Sequence, residues 1–112
     1  MDSILLVYCT APDLDTARAL ARTLVEERLA ACVNLVPGLT SFYRWQGTVQ
    51  EDAETLLLIK TAAARHRALQ ERLRALHPYE LPEIIAVSVS AGLPAYLEWV
   101  ATETLNPPED PA

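Results

Sequence analysis

Three observations in this 112-residue chain predict an α+β fold, a split βαβ sandwich of the ferredoxin-like kind. A buried-strand pattern, Ser3 to Thr10, passes at Ala11-Pro12-Asp13 into helical spacing. The stretch Cys32 to Thr61 reads as two long strands folded back at Arg44-Trp45-Gln46-Gly47. After Thr61 a second helix and a further strand follow. The order is strand, helix, strand, strand, helix, strand, plus a C-terminal helix, which is the split βαβ arrangement. Right-handed crossovers then give strand order 4-1-3-2 with every neighbour antiparallel.

The first strand is apolar throughout Ile4-Leu5-Leu6-Val7-Tyr8, as a strand covered on both faces requires. Asp13 is a good N-cap, and an acid suits a helix N-terminus. Leu14, Ala17, Leu20, Ala21, Leu24 and Val25 then recur at helical spacing, with Arg18, Arg22, Glu26 and Glu27 on the wet face. This helix is expected to end near Leu29 or Ala30.

The hairpin comes next. Its arms are Cys32 to Trp45 and Thr48 to Thr61, and Gln46-Gly47 supplies the positive φ of a short loop. Pro37 cannot donate a ladder hydrogen bond, so Pro37-Gly38 marks a bulge or edge break. An arm of about 13 residues spans roughly 43 Å, whereas a compact chain of this size is about 34 Å across. Part of the hairpin is expected to project, with open edges that need cover, the alternative being a bent hairpin folded onto the chain's own helices. The aromatic residues Phe42, Tyr43 and Trp45 lie near its tip, and a second copy of the chain is the simplest cover.

The second helix runs from Ala62 to Leu76, with Leu69, Leu73 and Leu76 on one face and arginines 65, 67, 72 and 74 outside. His66 flanks the leucine stripe. Pro78 pushes His77 out of helical conformation and ends the helix there. Two prolines stiffen the loop His77-Pro78-Tyr79-Glu80-Leu81-Pro82-Glu83. Ile84 to Ser90 is the fourth strand, and Leu93, Tyr96, Leu97 and Val100 define a last helix that carries Trp99. The domain is expected over 1–105, with a flexible tail over 106–112.

Composition narrows the function. A net charge of −6 argues against a nucleic-acid partner, whose phosphates demand a basic surface. No apolar stretch is long enough for a signal peptide or a membrane span. Two cysteines are too few for a disulfide scaffold, so a reduced, cytoplasmic protein is expected. The topology places Cys9 and His77 on one edge of the sheet and Cys32 on the opposite edge. A Cys9–Cys32 disulfide is therefore not expected.

The motifs Cys9-Thr-Ala-Pro, Leu29-Ala-Ala-Cys-Val-Asn, Ser41-Phe-Tyr-Arg-Trp-Gln-Gly, Ile59-Lys-Thr, His77-Pro-Tyr-Glu-Leu-Pro-Glu-Ile and Tyr96-Leu-Glu-Trp resemble the divalent-cation tolerance (CutA) family. The resemblance runs from about Ile4 to Thr102. It implies a ferredoxin-like subunit, a tight and thermostable homotrimer built by the hairpin arms, and a link to copper and other divalent cations. It also implies a relation in architecture to the trimeric nitrogen-regulatory PII proteins.

An enzyme is not expected. The first loop, Thr10-Ala11-Pro12-Asp13, lacks the arginine and glycine with which acylphosphatases of this topology hold phosphate. No third residue orients a Cys9–His77 pair for nucleophilic work. An RNA-binding module would need aromatics within a basic pattern on the middle strands, which read Leu-Leu-Val-Tyr and Leu-Leu-Leu-Ile. Two readings remain. One is a trimeric metal-binding or metal-response protein, in which the resemblance implies Cys9 and His77 as copper ligands. Leu76 stands where some relatives carry a second histidine, and two ligands suit low-coordinate copper(I). Glu80 or Glu83 could add an oxygen, a poor donor for soft copper(I). The other reading is a trimeric interaction or signalling scaffold with metal incidental. On that view Cys9 is a buried, inert thiol and His77 caps the helix C-terminus.

Overall fold

The computed structural model describes residues 3–105. The expected tail over 106–112 lies outside the described residues. Strands β1 (Ile4–Ala11), β2 (Cys32–Trp45), β3 (Thr48–Ala62) and β4 (Ile84–Ser88) form one sheet in the order β2-β3-β1-β4. All neighbours are antiparallel, as the crossover rule requires. Helices α1 (Leu14–Glu26), α2 (His66–Leu76) and α3 (Pro94–Leu105) complete the fold.

Period-2 alternation sorts the strand residues between two faces. Val7, Cys9, Ala11, Leu57 and Ile59 pack with Ala17, Leu20, Leu24, Leu69 and Leu73, so α1 and α2 cover one face. The alternate residues Ile4 and Ala62 pack with Val100 and Leu97, so α3 sits on the opposite face, at one end. Beyond α3 that face carries Leu6, Tyr8, Leu56 and Leu58, half-buried, and Val36, Ile85 and Val87, exposed.

α1 ends earlier than the expected Leu29 or Ala30. Arg28 adopts φ 58°, the left-handed conformation that stops a helix. The Leu29 N–H bonds the Leu24 carbonyl at 2.9 Å and the Arg28 N–H bonds Val25 at 3.1 Å, the paired bonds of a Schellman motif. Leu29 thereby packs in the core with Leu24, which compensates for an arginine where glycine is usual. The Thr61 hydroxyl donates to the Leu29 carbonyl at 2.8 Å and docks this turn onto β3. Arg72 forks onto Glu27 through two 2.8 Å bonds, tying α2 to the end of α1. The second helix also begins later than expected, because Ala63–Arg65 form a 3-10 turn first. β4 stops at Ser88 instead of Ser90, although the Val89 N–H still reaches the Ile4 carbonyl at 3.0 Å.

The hairpin closes through Gln46 (φ 50°) and Gly47 (φ 80°), two successive positive-φ residues that define a type I′ loop. Between Val36–Leu56 and Leu39–Glu54 the register shifts, so Pro37 and Gly38 together oppose Thr55 as a bulge. The molecule extends 50 Å along its longest axis and 22 Å along its shortest, consistent with an arm longer than its domain. Gly38 has φ 82° with open space around a built Cβ, so the cost of a side chain there is backbone strain alone. Gly38→Ala should lower stability by about 1 kcal/mol, read from the urea midpoint.

Candidate functional site

The loop from His77 to Glu83 and the outer half of the hairpin enclose a cleft of about 890 Å³. Phe42, Tyr43 and Trp45 line one wall, Tyr79, Leu81 and Pro82 the other, and Glu54, Glu80 and Glu83 bring carboxylates to it. The loop is fixed at two points. The Tyr79 hydroxyl donates to Glu54 at 2.7 Å, and the His77 ring bonds the Thr10 carbonyl at 2.8 Å. The His77 backbone N–H also closes α2 on the Leu73 carbonyl at 2.9 Å, so this residue does cap the helix.

The ring of His77 is fully engaged. Its Nδ1 accepts from the Tyr79 N–H at 3.1 Å. Nε2 therefore carries the proton and donates to the Thr10 carbonyl. Neither nitrogen keeps a lone pair for a metal. Cys9, next to Thr10 on β1, is fully buried within the helix-covered core. Burial, with the Glu83 and Glu54 charges adding to it, pushes its thiol from an ordinary 9.0 up to about 12. A thiol ligates soft metals as the thiolate, which this setting opposes. The structure thus brings the two residues to the same sheet edge but presents neither as a ready donor. Among the described residues, no three His, Cys, Asp or Glu side chains are grouped to hold a metal ion.

Phe42 is 66% exposed, Tyr43 is exposed and Trp45 half-buried, all on the projecting half of β2. The Tyr43 hydroxyl donates to Asp52 across the hairpin. Glu54 is only 9% exposed, and the phenol of Tyr79 is held well above its usual range by burial and by its bond to Glu54. Sequence reasoning did not single out the Glu54–Tyr79 pair. The available signal was a tyrosine framed by two prolines, a rigid loop able to hold one hydroxyl at a fixed point.

Fold and cleft define a ferredoxin-like domain with a projecting hairpin and a Pro-framed loop beside its outer half. Residues 5–103 match the family described as CutA1 divalent ion tolerance protein, and the chain belongs to that family. It is 53% identical over 104 residues to the divalent-cation tolerance protein CutA of Thermus thermophilus, covering 93% of this chain and 99% of that one. Protein CutA of Mus musculus is 48% identical, covering 93% of this chain and 60% of the mouse protein. The crystal structure of CutA from Xylella fastidiosa superposes with a TM-score of 0.88 at 54% identity, covering 90% of this chain and 97% of that one.

The raised Cys9 thiol gives a pH signature. A raised folded-state value means that its contribution is complete below 9.0 and is lost as pH climbs toward about 12. Across that window the wild type should lose more stability than Cys9→Ala, measured by urea denaturation at successive pH values. Parallel curves would mean that the thiol is not desolvated.

Proposed function

We propose that this protein is a non-enzymatic homotrimer of the divalent-cation tolerance class that acts as an interaction or signalling scaffold, with metal binding incidental. The observation that carries this reading is the uncovered side of the sheet. Ile85 is 56% exposed and Val87 49%, next to half-buried Leu6, Tyr8, Leu56 and Leu58. Large apolar patches of this kind mark interaction surfaces. The sheet also ends in two different open edges, β2 and β4. Contact between unlike edges is head-to-tail, and such contacts form a ring when the rotation between copies closes. The family resemblance supplies the number three. The outer aromatics Phe42, Tyr43 and Trp45 lie where an arm would reach the next subunit. Two free thiols and no membrane-crossing helix among the described residues suit a cytoplasmic setting.

Assembly and folding are then linked, so the melting temperature should fall on dilution. Light scattering should give three times 12.4 kDa. Trp45→Ala should cost roughly 3–5 kcal/mol if the indole is buried between copies. A stable 12.4 kDa species at micromolar concentration would overturn the reading.

Copper(I) held by Cys9 and His77 is the second reading, supported by the resemblance. Ligation would require Nδ1 to lose the Tyr79 N–H and a fully buried thiol to lose its proton. The scaffold reading expects equal copper uptake by wild type, Cys9→Ser and His77→Ala in anaerobic competition with a colorimetric chelator. Loss of uptake in both variants would put ligation first.

A further inference from the structure

A second groove, of about 420 Å³, runs between α1 and β2 on the helix-covered face. Its floor is apolar, from Ala21, Val25, Val33 and Leu35. Arg18 and Arg22 stand over that floor one helical turn apart, and Glu26 follows one turn further along. Neither arginine has an ion-pair partner among the described residues. The loop into β4, at the opposite edge of the sheet, carries the complementary set. Leu81 is 72% exposed there, between Glu80 and Glu83. Both carboxylates are exposed and also lack an ion-pair partner among the described residues.

The fold sets groove and loop at matching places on its two open edges. The groove lies between α1 in the helix layer and β2 in the sheet. The loop descends from the end of α2 in that same layer to β4 in the sheet. The ladder carries one level across. Leu35 pairs with Leu57, Leu57 with Cys9, and Cys9 with Ile84, the first residue of β4. A ring closed about an axis along the strands keeps each feature at its own level. The loop of one copy then meets the groove of the next.

We propose that the Glu80–Glu83 loop of one copy docks in the Arg18–Arg22 groove of the next. Leu81 lies on the apolar floor, and Glu80 and Glu83 face the two guanidiniums. The contact rests on the head-to-tail assembly of the proposed trimer and names the surfaces that meet. Guanidinium and carboxylate pair with two parallel hydrogen bonds, which fixes orientation as well as attraction. The loop arrives already ordered by Pro78, Pro82 and the Tyr79–Glu54 bond, so docking loses little chain entropy. Groove against groove would instead set Arg18 and Arg22 against their own copies, a repulsive arrangement.

The test joins carboxylates to amines across the contact. Arg18→Lys and Arg22→Lys, made separately, place an amine in the groove, and a water-soluble carbodiimide couples it to a carboxylate it touches. Denaturing electrophoresis should then show covalent dimers and trimers. Peptide mass spectrometry of those bands should find the α1 peptide joined to the Glu80–Glu83 peptide. The wild type, whose one lysine is Lys60, should lack that joined peptide. Leu81→Ser should raise the concentration at which the oligomer dissociates roughly tenfold or more, the factor that a buried leucine contributes. Light scattering separates the two ways of failing. A wild-type mass of three times 12.4 kDa, with no α1–loop peptide from either lysine variant, would overturn the docking and leave the scaffold reading standing. So would joined peptides confined to single chains, or an unchanged dissociation concentration for Leu81→Ser. A wild-type mass of 12.4 kDa would overturn both.

Discussion

A four-stranded sheet with two helices on one face must find cover for the other. In this chain α3 covers only the Ile4–Ala62 end of that face. The rest is largely apolar, and the projecting hairpin extends the problem beyond the domain. Each side chain left in water there forgoes part of the ~25 cal/mol per Å² that burial contributes. In the proposed assembly, other copies of the chain supply the missing layer. The odd features of the chain follow from this need. They include a 14-residue edge strand, a bulge that bends it, a tight loop and aromatics near its tip.

The cleft is best understood as a rigid joint in this arrangement. His77 spends its backbone N–H on α2, Nε2 on β1 and Nδ1 on its own loop. Tyr79 then pins the loop to β3 through Glu54. One histidine and one tyrosine thus lock the end of α2, the last loop and two strands together. A residue with three bonds already made is a poor candidate for exchange with a metal, since ligation would loosen the joint. Both cysteines have clear settings as well. Cys9 is filler in a tight core, and Cys32 is the polar end of a cross-strand pair with lysine.

Much of the fold was legible in the sequence. Strand order follows from connection handedness, and Pro37-Gly38 and Gln46-Gly47 state their own backbone conformations. The end of α1 was not legible, because its left-handed residue is Arg28, and arginine carries no conformational signal for that position. The candidate site was legible in location and less so in chemistry. Topology put Cys9 and His77 at one edge, but donor availability depends on which partner each ring nitrogen finds. Those partners, the Thr10 carbonyl and the Tyr79 N–H, are backbone groups that no residue pattern encodes. Glu54 escaped notice because alternation along an arm marks it only as one face of a strand.

The central claim is that the open edges and open face of this sheet are covered by other copies of the chain. Amide hydrogen exchange measures that cover residue by residue. The β2 amides that point away from β3, and those of β4 that point away from β1, have no partner strand among the described residues. Slow exchange at these amides in the native protein, accelerating on dilution, is the result the account predicts. Rapid, concentration-independent exchange along both edges would contradict it.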